Sequence, residues 1–505
     1  MIDRRTLLAA ALASPALPVL AQTNGVLPNG WGLKQDDTLA PGVTREVLVR
    51  WGDRVTYDAP PFDPNAPTPE SAGSQFGWDG RICGVIPSPP AADGIPRAVL
   101  AVAHPTVDPA LAWPGGAARP AVAAQMQGAT LLNLQRQGAR WIIVDGGFQS
   151  RRLTADTLCR ITGPAVPRTG GSIQGLVGIT GGCATPWGSL LLTEGDPTDW
   201  LTRLRGLDGR FAEANRFGWV AELDPQDPAS VPVKRTALGR FNHGDAAAAL
   251  SADGRAVVFM TDRRAGGGLF RFVSAGPAGP DALDEGTLSV ATASGGGIAW
   301  ADLPSGADAV LNAAQSAVAT NAAAFDAPSG LAIRGTRLVV ACRGSGGSAG
   351  EVIEVTSGGD WAGRDMARRR LVAGAWPAPT PPPARNAPPP PPPGPPLLAA
   401  PDVVGFGPRG SLWVGTDRRG TGEQPDALFG IGPDGAARAV YAVPRGASVG
   451  GVAVSAEGAT LLTIARTPGN EPGATWANPT TRWPALDPNL PPRTTLVGLA
   501  RQGGW

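Results

Sequence analysis

Short apolar runs bounded by glycine-, proline- and aspartate-containing turns recur along most of the chain, and from about residue 247 they fall into one repeated grammar. An apolar strand, a tight glycine turn, a second apolar strand, a loop and a third strand follow one another. One copy covers 247–262 and 268–273, a second 329–342 and 350–355, and a third 402–417 and 427–431; a fourth, 449–464, repeats the first half. Each copy is an antiparallel sheet that cannot cover both of its own faces, so copies must stack on one another. Radial stacking of such sheets gives a β-propeller. Upstream, 175–179, 189–193 and 219–223 read as an earlier blade interrupted by a helical insertion, and 97–103 and 141–145 as strands. Proline at the start, glycine at the end and apolar residues at three and four spacing predict a helix over 120–138. The fold expected is therefore all-β, a propeller of about six blades over 73–505 with a few helical and Pro-rich insertions.

Composition supports this. The 505 residues exceed what a single compact core holds, and 70 Gly and 53 Pro against 17% charged residues favour many short strands over long helices. Two segments stand outside the repeat. Residues 22–72 form a polar, Pro-rich lead-in with little regular structure expected, and 376–401, nearly all Pro and Ala, reads as an extended surface insertion between blades. At the N-terminus, Arg4-Arg5 precedes a modest apolar stretch ending in Val19-Leu20-Ala21. That is the pattern of a twin-arginine export signal over 1–21, too short for a stable membrane anchor, and it predicts a periplasmic or secreted protein without a membrane anchor after signal removal.

Charge and residue usage then exclude several chemistries. Lys+Arg of 43 against Asp+Glu of 42 gives no electrostatic footprint for nucleic acid. Lys34 and Lys234 are the only lysines, which leaves little room for a Walker loop or Schiff base. Cys83, Cys159, Cys183 and Cys342 form no C-x-x-C pair; they are read as small buried residues, with two disulfides open to an exported chain. Gly446-Ala-Ser-Val-Gly450 satisfies G-x-S-x-G, but it precedes a strand instead of joining strand to helix, so it is not a nucleophile elbow. With His104 and His243 as the only histidines, the better metal donors are carboxylates: Glu194, Asp196, Glu222, Asp224, Asp245, Asp262, Asp326, Asp402 and Asp417 mostly follow predicted strands. Strand ends converge on one mouth of a propeller channel, where such groups could share a hard cation such as Ca²⁺.

Several stretches resemble landmarks of the PhoX alkaline phosphatases, exported β-propeller phosphomonoesterases that use calcium and iron. Phe148-Gln-Ser-Arg-Arg-Leu-Thr-Ala-Asp-Thr157 with Gly163-Pro-Ala165, and Thr185-Pro-Trp-Gly-Ser-Leu-Leu-Leu-Thr-Glu194, are similar to two family signatures. Phe217-Gly-Trp-Val-Ala-Glu222, Leu238-Gly-Arg-Phe-Asn-His243, Val257-Val-Phe-Met-Thr-Asp262, Phe325-Asp-Ala-Pro328 and Pro401-Asp402 continue in family order. The resemblance implies hydrolysis of a small phosphate ester at a metal site in the mouth, with Glu194, Glu222 and Asp262 as Ca²⁺ ligands and Arg263 or Arg264 gripping the phosphate.

This sequence also departs from the family pattern at acids and at the iron-binding cysteine. An N-H-E triplet is here Ala103-His104-Pro105, the cysteine position falls on Thr180, an E-E pair is Glu194-Gly195, and H-E is His243-Gly244. Paired acids are followed here by Arg263 and Arg264, and R-P-E becomes Ala327-Pro328-Ser329. Clustered cations need carboxylates to offset their charge, so the expectation is weak or absent iron and calcium binding and weakened or lost hydrolysis. The alternative expectation is a non-catalytic periplasmic propeller that binds a ligand or a protein partner at the same mouth.

Overall fold

The computed structural model describes residues 30–138, 140–378, 392–418 and 421–505, and its strands form six blades around a closed ring. From the channel outward, the first blade runs Arg81–Pro87, Arg97–His104, Gly128–Gln137 and Arg140–Ile143. The second runs Ile179–Ala184, Leu190–Glu194, Val220–Leu223 and Val233–Arg235, and is widened by Leu158–Thr162 and Ser172–Gln174. The third begins at His243–Leu250 and Arg255–Asp262, the fourth at Pro328–Arg334 and Arg337–Cys342, and the fifth at Pro401–Phe406 and Leu412–Thr416. In the sixth, Ser448–Val454, Thr460–Arg466 and Thr495–Arg501 are completed by Val43–Arg50 from the start of the chain. The innermost strands of successive blades pack side by side, and the sixth meets the first.

Both faces of most inner strands are buried between neighbouring blades, which is why they read as continuous apolar runs. In Arg255–Asp262, Val257 and Phe259 enter a core shared with the fourth blade, while Ala256, Val258 and Met260 enter one shared with the second. The four repeat copies fall on the blades as the sequence grammar predicts. The helical insertion of the second blade is Thr198–Leu204 followed by two 3₁₀ turns. None of the described helices is long and apolar enough to cross a membrane.

Four expectations need correction. The helix predicted over 120–138 is a short helix, Pro120–Met126, followed by the strand Gly128–Gln137. Gly128 takes φ +102°, and a Cβ there would lie 2.0 Å from the Leu153 carbonyl oxygen, so the helix cannot continue. Beyond it, Ala129 and Leu131 face one core and Leu132 and Leu134 another, an arrangement only a strand allows. The inner strand of the second blade is Ile179–Ala184, and 175–178 lie before it. The lead-in is not irregular, because Val43–Arg50 is a ladder-paired strand and Pro69–Ser74 a capped helix.

The fourth correction concerns the Pro-rich insertion. It is not wholly a surface segment, since Leu398, Ala399 and Ala400 are buried and Leu398 accepts a backbone bond from Ala375. Residues 379–391 of that insertion, and the export signal at 1–21, lie outside the described residues. None of the four cysteines is paired with another, and Cys83, Cys159 and Cys342 are buried.

Candidate functional site

The acids expected to hold calcium are each committed to a cation of the protein itself. Glu194 is fully buried on the second strand of its blade and accepts from Lys234 Nζ at 2.8 and 3.0 Å and from the amides of Val177, Gly218 and Trp219. Glu222 accepts from Arg235 Nε at 2.8 Å, Trp187 Nε1 at 3.0 Å and Ser189 Oγ at 2.6 Å. Asp262 is held side-on by Arg264, whose Nε lies 3.0 Å from both carboxylate oxygens. Of the remaining candidates, Asp196 and Asp224 cap their own turns and Asp326 accepts from Ser345. Glu194, Glu222 and Asp262 therefore form no common ligand set, and among the described residues no group of three or more His, Cys, Asp or Glu is placed to hold a metal.

Arg263 does reach the channel, and it meets three arginines there. Asp402, fully buried at the start of the fifth blade, lies 3.3 Å from Arg81 Nη1, 3.3 Å from Arg263 Nη2, 3.7 Å from Arg343 Nε and 3.7 Å from Arg466 Nη1. Its Oδ1 also accepts from Ser329 Oγ at 2.6 Å. Burial alone would push the Asp402 carboxyl up, but the four guanidiniums outweigh it and hold it well below the usual carboxylate range. Arg263 pays the converse penalty: burial and the repulsion of Arg81, Arg343 and Arg466, against the pull of Asp402, bring it down to about 10.

Asp79 takes the other edge of Arg466, at 2.9 and 3.0 Å, and Asp417 lies 3.5 Å from Arg466 and 3.6 Å from Arg343. Asp245 sits 3.5 Å from Arg81 and accepts the backbone amides of Gly182, Ala246 and Leu331. Beneath this layer His104 is buried between the Asp79 carbonyl and Thr130, and desolvation keeps it neutral by drawing its pKa well below the ordinary value. Arg152, from the stretch that resembles a family signature, caps the carbonyls of Gln125, Met126 and Gln127 and so serves the scaffold.

The residues present do not fit the calcium and iron that the family resemblance implies. A hard cation needs several oxygens free to turn toward it, whereas the channel acids are taken by guanidiniums and amides. Two positions where the resembled pattern has further acids, Gly195 and Gly244, are closed as well. A Cβ on Gly195 would lie 2.6 Å from the Thr180 methyl, and one on Gly244 would lie 2.6 Å from Thr261 Oγ1 and 2.7 Å from Arg263 Cγ. Thr180 itself donates to the His243 carbonyl at 2.7 Å.

Asp402, Asp245 and Asp417 were among the sequence candidates, but Arg81, Arg343 and Arg466 were not. A signal for two of them is present in the repeat. Arg263, Arg343 and Arg466 each close the second strand of a blade, after Met-Thr-Asp262, Val-Ala-Cys342 and Thr-Ile-Ala465, and Arg418 follows Gly-Thr-Asp417 in the same place. Arg418 turns away, donating to Gln424 and Leu397 carbonyls and lying 3.7 Å from Asp426.

A pH dependence follows from Asp426, which burial pushes up to about 7 against the pull of Arg418. A carboxyl raised above its unfolded value of about 3.9 holds a proton that the unfolded chain has released, so its contribution is lost as pH rises from about 4 to about 7. Urea midpoints of wild type should therefore fall more between about pH 5 and about pH 7 than those of Asp426→Asn. Equal slopes would mean that the carboxyl titrates near its ordinary value.

A ring of six blades closed by its own N-terminal strand, with an ionic centre in the channel, defines a six-bladed β-propeller. The chain belongs to the alkaline phosphatase PhoX family, whose model matches residues 28–339. Its fold is that of Pseudomonas fluorescens PhoX, solved in complex with vanadate, a transition state analogue: TM-score 0.81 at 24% identity over 94% of this chain and 98% of that one. A gluconolactonase from Xanthomonas campestris, XC5397, is similar at a TM-score of only 0.34 and 14% identity over 94% of this chain and 99% of that one. No curated protein sequence matches the chain.

Proposed function

We propose that this chain, exported through the signal at 1–21, recognises phosphate monoesters at the channel mouth and has lost the calcium–iron hydrolysis of its family. The observation that carries this reading is the convergence of Arg81, Arg263, Arg343 and Arg466 on a single carboxylate, Asp402. Guanidinium N–H groups bind phosphate oxygens well, and family membership supplies the phosphate ester as the ligand class. Vanadate, bound to the P. fluorescens protein as a transition state analogue, is likewise an oxyanion. Arg264 is assigned no ligand contact on this reading, since Asp262 holds it side-on.

The test is turnover of a generic phosphomonoester by chelator-stripped protein, with and without added Ca²⁺ and iron, alongside equilibrium binding of a non-hydrolysable monoester analogue. The expected result is saturable binding, with turnover at background in every condition. Glu194→Gln and Asp262→Asn should alter stability without altering that background. Robust metal-dependent turnover that either substitution abolishes would restore the family chemistry.

A further inference from the structure

We infer that Asp402 is a built-in anion mimic. On this reading its carboxylate occupies an oxyanion position defined by Arg81, Arg263, Arg343 and Arg466, and it competes there with an incoming phosphate-type dianion. The inference rests on the ligand class proposed above but makes a separate claim about what limits binding.

The distances motivate it. Single ion pairs elsewhere in the interior range from 2.8 Å for Lys234 to Glu194 and Arg235 to Glu222, and 2.9 Å for Arg466 to Asp79, out to 3.7 Å for Arg418 to Asp426, and each carboxylate of the close pairs has at least one contact under 3 Å to its cation. Around Asp402 all four guanidiniums stand back, at 3.3–3.7 Å. Charge-assisted N–H···O bonds settle at about 2.7–2.9 Å when geometry allows, so this ring is too wide for the two oxygens of a carboxylate. A tetrahedral dianion carries more oxygens on a larger frame and reaches farther toward each arginine.

A second observation points the same way. Arg466 Nη1 makes no hydrogen bond although its residue is only 8% exposed; the carboxylates it faces, Asp417 and Asp402, stand at 3.5 and 3.7 Å, and a buried donor that forms no hydrogen bond is costly. Exposure also runs in the required order for three of the four arginines: the Arg263, Arg343 and Arg466 side chains are 17%, 11% and 10% exposed, while Arg81 is at 1% and Asp402 at 0%. A ligand approaching along the channel meets Arg263, Arg343 and Arg466 first, with Arg81 and the carboxylate beneath them. Ser329 Oγ, 2.6 Å from Asp402 Oδ1, anchors the mimic in place.

The experiment is calorimetric titration of inorganic phosphate, in the presence of a chelator, into wild type, Asp402→Asn and Ser329→Ala, with folding checked by circular dichroism. Removing the competing charge should raise phosphate affinity at least about tenfold in Asp402→Asn, and releasing the anchor should raise it by a smaller factor in Ser329→Ala. Folded Asp402→Asn binding phosphate no better than wild type would overturn the inference. If Asp402→Asn does not fold, Ser329→Ala decides, and an unchanged affinity there overturns it. Monoester binding by wild type with no gain in the deciding variant would sink the mimic alone, whereas no oxyanion binding by wild type or by either folded variant would sink the proposed function with it.

Discussion

Lys234→Met should cost about 3–5 kcal/mol of folding stability, because removing one partner of a fully buried ion pair leaves the other charged and dry. Lys234 Nζ bonds both oxygens of Glu194 and the Arg216 carbonyl, and lies 4.5 Å over the Phe217 ring. The three backbone amides that Glu194 also accepts cannot neutralise a full charge in an apolar setting. Lys234→Met combined with Glu194→Gln should lose less than Lys234→Met alone, since the amide no longer buries a charge. Urea unfolding of the three proteins measures this. A loss below about 1 kcal/mol for Lys234→Met would mean that Glu194 does not depend on its lysine and is available to a cation.

A chain truncated through Arg50 should lose its cooperative unfolding transition altogether. Val43–Arg50 pairs along its length with Thr495–Arg501, so it is the outer strand that joins the two ends of the ring. Val43 and Val49 are buried in two different cores, and Thr38–Leu39 adds an edge to the fifth blade. Without these residues the sixth blade exposes both an unpaired ladder and apolar surface at the closing seam. Native-like melting of the truncated chain would show that the ring closes without this strand.

The repeat was legible because both faces of most inner strands are buried, so that even small residues such as Ala247 and Ala249 fall in apolar runs bounded by glycine turns. What failed was local. In 128–137 alternate residues serve two cores, and that double burial mimics helical spacing in sequence. Val43–Arg50 was missed because its partner lies some 450 positions away and its sequence, three polar residues followed by three apolar ones, has neither a long apolar run nor strict alternation.

At the site, the departures from the resembled family pattern were readable residue by residue, but their surroundings were not. Gly195 and Gly244 show only that no side chain stands there; that Thr180 and the stem of Arg263 fill the space is a tertiary fact. Likewise Glu194 and Glu222 look like free ligands until folding brings Lys234 and Arg235, from the next strand of the blade, against them.

Calcium titration of chelator-stripped protein, paired with iron analysis of exported protein before stripping, bears most directly on whether arginines have displaced metals in this channel. With Asp402, Asp79 and Asp417 engaged by guanidiniums, the expected result is no saturable calcium uptake below about millimolar and iron far below one per chain. Stoichiometric iron, or micromolar calcium binding that Asp402→Asn abolishes, would contradict it.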